Sequence, residues 1–165
     1  MDLYNQWSEA RTKIPPGQYH IKCLNSDRPK IWLEGAKGWG ELENRVILWF
    51  QIVEGAQNGK IIPMFLNLPT DKDGKLKNKI SDGHRYYDAW RIANGGERPP
   101  RARFKEMNPS KFLNKSFIAE VVDVKPTWLI PSENGGKPKK KEKPEIFWYS
   151  RVLCLYELLT GNPKN

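Results

Sequence analysis

Arg45-Val46-Ile47-Leu48-Trp49-Phe50-Gln51-Ile52-Val53 alternates strictly, with Val46, Leu48, Phe50 and Ile52 on one face and Ile47, Trp49 and Gln51 on the other. That period of two is the signature of a strand with one face toward a core. Glu54-Gly55-Ala56-Gln57-Asn58-Gly59 follows, and its Asn-Gly pair supplies residues that tolerate positive φ in a tight turn. The chain then returns as Lys60-Ile61-Ile62-Pro63-Met64-Phe65-Leu66-Asn67-Leu68, so the stretch predicts a β-hairpin. Pro63 has no N–H to give to a ladder, which puts this third strand at a sheet edge or gives it a bulge.

Upstream of the hairpin, Gly17 to Leu24 alternates with Tyr19, Ile21 and Cys23 inward and His20 and Lys22 outward. The strand resumes at Lys30-Ile31-Trp32-Leu33, as one long bent strand or two short ones, until Gly35, Gly38 and Gly40 end it. Downstream, a polar, Lys-rich connection leads to a helix that starts near Ser81 or Asp82 and stops at Asn94-Gly95-Gly96. Tyr86, Ala89, Trp90 and Ala93 recur on its buried side. Asn108-Pro109-Ser110 opens a short helical turn before a fourth strand, Ser116 to Lys125, and the last strand runs from Glu145 to about Leu158. Between them, residues 131–144 carry Gly135-Gly136 and the Lys137 to Lys143 cluster and have too little apolar content to pack, so a flexible basic loop is expected. The expected organisation is an N-terminal arm (1–14), one domain (15–158) and a C-terminal tail (159–165).

The chain holds 28 Lys and Arg against 19 Asp and Glu, a net charge of +9 over 165 residues, together with seven Trp, six Tyr and six Phe. A basic surface attracts phosphate backbones regardless of sequence, and an exposed ring offers a face on which an unpaired base stacks. No apolar run approaches the ~20 residues of a spanning helix, and Met1-Asp2-Leu3-Tyr4 lacks the basic, then apolar pattern of a leader, so no membrane partner and a cytoplasmic location are expected. Cys23 and Cys154 sit in apolar strands and are expected to be reduced, buried thiols rather than a disulfide or metal pair.

A mostly β chain of five strand segments with a helix between strands 3 and 4 has the element order of an OB-fold barrel, which binds oligonucleotides across its strand-2/strand-3 face and in the adjoining loops. Pro16-Gly17-Gln18-Tyr19, Leu48-Trp49-Phe50-Gln51-Ile52-Val53-Glu54-Gly55, Asn58-Gly59-Lys60 and Asn108-Pro109-Ser110-Lys111-Phe112-Leu113-Asn114-Lys115-Ser116-Phe117 resemble the OB-fold single-stranded DNA-binding proteins of bacteriophages and mobile elements. The resemblance spans roughly residues 15 to 158. It implies single-stranded DNA as the partner during replication or recombination in a bacterial host cell. Proteins of this kind act beside a recombinase, helicase or polymerase. The acidic, apolar-tipped tail of bacterial housekeeping relatives has no counterpart in Gly161-Asn162-Pro163-Lys164-Asn165.

The candidate contacts follow from the pleat, since a face that carries charge is not the core. They are Lys22, with Lys30 and Trp32 if the register survives the interruption; the loop ring Trp39; Arg45 and Trp49 on the second strand; Lys137, Lys139, Lys140 and Lys141 in the basic loop; and Phe147, Tyr149 and Arg151, expected to alternate on one face of the last strand. Each aromatic has packing in a core as its alternative role, and Trp90 is assigned to packing outright. Neither histidine has partners at metal-ligand spacing, no Gly-rich phosphate loop opens a helix, and Asp82, His84 and Asp88 read as capping and surface charge, so neither catalysis nor a cofactor is expected. A protein-interaction module serving a recombinase, helicase or polymerase is the rival reading. DNA versus RNA stays open, as does a homo-oligomer formed through the third-strand edge.

Overall fold

In the computed structural model, the Arg45–Asn67 stretch forms the hairpin its alternation requires. The structure describes residues 12–27, 45–73 and 75–159, together with the backbone of strands at 30–33 and 38–41. In chain order the elements are β1 (Gly17–Asp27), β2 (Lys30–Leu33), β3 (Gly38–Glu41), β4 (Arg45–Ile52), β5 (Ile61–Asn67), α1 (Arg85–Ala93), β6 (Ser116–Val124), β7 (Thr127–Ile130), β8 (Lys139–Glu142) and β9 (Tyr149–Leu158). Five of them make one antiparallel sheet, ordered β5-β4-β1-β6-β9, and the other four make two separate hairpins, β2-β3 and β7-β8. β5 is an edge strand, the position that Pro63, opposite Trp49, demands.

The inward residues of the strands supply the core. Val46, Leu48, Phe50 and Ile52 of β4 are fully buried with Ile21 and Cys23 of β1, Ile62, Met64 and Leu66 of β5, and Phe117, Ala119 and Val121 of β6. Helix α1 closes this core with Tyr86, Tyr87, Ala89, Trp90 and Ala93, as its spacing predicts. Its N-cap is His84 rather than Ser81 or Asp82: the Tyr86 amide donates to His84 Nδ1 at 3.3 Å. The Tyr86 hydroxyl donates to the Met107 carbonyl and the Trp90 indole to the Asn108 carbonyl, fixing α1 to the segment that precedes β6. There Asn108 caps a 3-10 turn, Pro109–Phe112, by accepting from the Ser110 amide at 2.8 Å.

The sheet is not hydrogen-bonded into a closed barrel: among the described residues no ladder joins β5 to β9. The two edges nevertheless approach each other, and the Arg85 guanidinium spans them, donating to the Leu153 carbonyl at 2.6 Å and, more weakly, to the Phe65 carbonyl at 3.5 Å. Three other expectations are corrected. A bulge at Leu24 moves β1 out of step with β4, so that Asn25 and Asp27, not even-numbered residues, lie opposite Trp49 and Ile47. Outward parity is therefore not carried from Lys22 to Lys30 and Trp32, which belong to a different sheet. Residues 139–142, expected in a loop, pair with 127–130. The last strand begins at Tyr149, because Pro144 precedes a 3-10 turn over Glu145–Phe147. Ahead of β1, Ile14 is buried, its amide donates to Ser150 Oγ, and the Ser150 amide donates to the Thr12 carbonyl. Among the described residues no helix is long and apolar enough to cross a membrane.

Candidate nucleic-acid interface

The face of β4 turned away from α1 carries Arg45, Ile47, Trp49 and Gln51, opposite Asn67, Phe65, Pro63 and Ile61 of β5. It is not the open stacking platform expected of it. Trp49 is 0 % exposed and Ile47 1 %, in a second apolar cluster with half-buried Ile61, Phe65 and Tyr149. Within its own strand Trp49 has Ile47 as one same-face neighbour and Gln51 as the other; the rest of its apolar cover, Ile61, Phe65 and Tyr149, comes from β5 and β9. Arg45 sits at the rim, with its guanidinium 5.5 Å from the centre of the Phe65 ring and its Nε donating to Asn67 Oδ1 at 3.1 Å. Lys22 lies half-buried opposite Gln51, and His20 lies 3.6 Å from Glu54.

Solvent-facing rings occur instead at the β7-β8 hairpin. Every residue of both strands is exposed, and the register sets Trp128 opposite Lys141, Leu129 opposite Lys140 and Ile130 opposite Lys139. Alternation therefore puts Trp128, Ile130, Lys139 and Lys141 on one face and Leu129 and Lys140 on the other. At the base of the hairpin the 3-10 turn brings Phe147 edge-on to Trp128, with ring centres 6.3 Å apart. The Lys143 ammonium lies 5.8 Å from the centre of Trp128 and 5.7 Å from that of Phe147, while Lys125 lies 4.6 Å from the Trp148 ring. Trp128 and Phe147 keep 42 % and 44 % of their surface in water. The Trp148 indole donates to the Lys143 carbonyl at 3.0 Å, which holds hairpin and turn together.

Of the sequence-predicted residues, Lys139, Lys140 and Lys141 lie on β8, and Lys137 is exposed in the hairpin's connecting loop. Tyr149 and Arg151 share a face of β9 as expected, paired without a register break to Val124 and Val122, whereas Phe147 lies in the 3-10 turn and joins the hairpin; Tyr149 packs beside Trp49 and Arg151 is half-buried. Lys30, Trp32 and Trp39 fall in β2 and β3, where Trp32 and Trp39 are register partners; their side chains lie outside the described residues. Sequence reasoning missed Trp128, Trp148, Lys125 and the pivotal place of Lys143. The available signal was Thr127-Trp128-Leu129-Ile130, a β-branched and aromatic run four residues long with alternating lysines beyond it.

Among the described residues no three His, Cys, Asp or Glu side chains converge as metal ligands would. Both cysteines are unpaired; Cys23 is buried, which pushes its thiol up to about 12, and Cys154 is half-buried. A cavity of about 110 Å³ lies along the β5/β9 seam between Met64, Arg85, Ile92 and Leu153. Burial holds Arg85 below its ordinary range, and the like charge of Arg151 adds to this. No protein-family model, curated protein or solved structure matches the chain.

Proposed function

We propose that this chain binds single-stranded DNA with little regard to sequence, as an OB-fold protein of the kind used by bacteriophages and mobile elements in replication or recombination. The strand order β5-β4-β1-β6-β9, the helix between β5 and β6, and the β5/β9 seam spanned by Arg85 support the barrel reading. The observation that carries the function is the wet cluster of Trp128, Phe147 and Lys143 at the foot of a lysine-lined hairpin. Each stacked base adds ~1–3 kcal/mol that salt barely touches, and each neutralised phosphate adds ~0.7 to the salt slope. Duplex DNA hides its base faces, so stacking is the source of discrimination. The role is binding, without catalysis or cofactor, in the cytoplasm of a bacterial host.

Titration with oligo-dT should quench tryptophan fluorescence, whereas a matched duplex should not; an oligo-U arm ranks RNA against DNA. Ile146, 85 % exposed, and Leu129, 67 % exposed, favour a second reading, because aliphatic side chains offer nothing to a base but fit a protein partner such as a recombinase, helicase or polymerase. Fluorescence unchanged by strand and duplex alike would leave that second reading standing.

A further inference from the structure

A second basic feature lies far from the hairpin. Residues 77–80 run antiparallel beside 101–104: the Ile80 amide donates to the Ala102 carbonyl at 2.7 Å, the Phe104 amide donates to the Asn78 carbonyl at 3.2 Å, and Lys79 and Arg103 are register partners. Leu76, Ile80, Ala102 and Phe104 point into the core, and Phe104 rests 5.6 Å from the Tyr86 ring. The alternate residues Lys77, Lys79, Arg101 and Arg103 are therefore outward, Lys105 follows in a 3-10 turn over Phe104–Glu106, and all five are exposed. Like charges directly opposite each other in a ladder destabilise it, yet the backbone pairs Lys79 with Arg103 and flanks both with further cations. Among the described residues the ion pair made by a Lys or Arg is Lys13–Glu145, so none of these five cations is neutralised by a described carboxylate.

We infer that this strip is a second DNA contact, which holds the phosphate backbone of the same single strand beyond the bases stacked at the hairpin; the inference rests on the single-stranded DNA reading above. Outward residues on one extended segment repeat every ~6.6–6.8 Å, an array matched to a polymeric anion rather than to one phosphate. The guanidinium forks of Arg101 and Arg103 suit phosphate oxygens in two-point contacts. The large exposed hydrophobics of the described residues lie within 128–159, so the strip has neither a ring for a base nor an apolar side chain to enter a membrane interface. It recognises phosphate alone. The connection that carries Lys77 and Lys79 leaves β5 beside Arg45, whereas the hairpin joins β6 and β9 at the opposite end of the strands. The two sites are thus separated by a strand length, on the order of 20 Å, with Arg45 at the strip's end, and only a long strand reaches both.

The test uses the full chain, oligo-dT of about 5 and about 30 nucleotides, below and beyond the middle of the ~4–16-nucleotide range of a single OB barrel, and a salt series. The variant Lys79→Ala/Arg101→Ala/Arg103→Ala should lower the salt slope for the 30-mer by ~2, at ~0.7 per lost contact, and leave the 5-mer slope at the wild-type value. Its Tm should equal or exceed wild type, since repulsion is removed; should it fold poorly, Lys77→Gln/Lys105→Gln carries the same test with a loss of ~1.4. A wild-type slope for the 30-mer overturns the inference while Trp128→Ala, tested in parallel, still reports on the hairpin. An equal drop at both lengths also overturns it, because it marks a long-range field rather than contact. Loss of binding to phosphatidylserine vesicles with DNA slopes intact assigns the strip to a membrane and overturns it too. A wild-type protein that binds neither oligonucleotide overturns this inference and the single-stranded DNA reading together.

Discussion

Trp49 and Trp128 both stand on strands, beside basic residues and outside the main core, yet solvent reaches one and not the other. Around Trp49 the neighbours are Ile47, Ile61, Phe65 and Tyr149, drawn from three strands of the main sheet. Around Trp128 they are Lys141, from a two-stranded hairpin whose strand residues all face water, and Lys143 and Phe147, from the segment that follows it. An indole is buried when several strands converge on it and stays open to solvent when its neighbours are lysines that compete poorly for its face. The difference lies in the packing between strands, not in the local sequence.

The comparison breaks first, and by the largest margin, at Trp49. Trp49→Ala should destabilise the protein by ~3–5 kcal/mol, as emptied aromatic sites do, measured by urea unfolding; a loss under about 1 kcal/mol would mean the outer cluster is not packed. Trp128→Ala should leave the unfolding midpoint close to wild type and weaken oligo-dT binding by ~1–3 kcal/mol. Equal affinity with the fold intact would remove the hairpin from the site. Smaller again is the contribution of His84, whose neutral Nδ1 caps α1. Burial lowers its pKa, partly offset by Asp88, so its contribution is present above the ordinary histidine range and fades as pH falls through and below it. His84→Ala should cost ~1 kcal/mol at neutral pH and flatten the fall of Tm on acidification; an unchanged acid slope would assign that slope to other groups. The subtlest readout is thiol labelling. Burial keeps Cys23 protonated up to about 12, so a thiol reagent at mildly alkaline pH should leave Cys23 unmodified until the protein is denatured, and rapid labelling of both cysteines would show that the core opens.

The hairpin from Arg45 to Asn67 was legible because strand periodicity, the Asn-Gly turn and Pro63 all agreed, and the positive φ of Gly59 is what that turn needed. The helix was legible from Tyr86, Ala89, Trp90 and Ala93, and the Pro109 turn from Asn108. Facing was less so wherever a bulge intervened. β1 carries an extra residue at Leu24, and β9 carries two, Leu153 and Tyr156, which its pairing with β6 skips. Parity counted across such a bulge reverses; Phe147 was misplaced for another reason, because it lies in the 3-10 turn before β9, where side chains do not alternate. The β7-β8 hairpin was missed for another reason. Its lysines have no core to pack on, and the strand forms by pairing Trp128 and its neighbours with Lys139 to Lys141 in solvent.

Arg85 closes a gap that backbone hydrogen bonds leave open, and this has a consequence for how the molecule behaves in a crowd. A bare strand edge is a template for another chain. On β5, Pro63 withholds a donor, and the guanidinium reaches the Phe65 and Leu153 carbonyls, two acceptors that a visiting strand would need. Replacing Arg85 with Leu would free both carbonyls and favour strand addition along that seam.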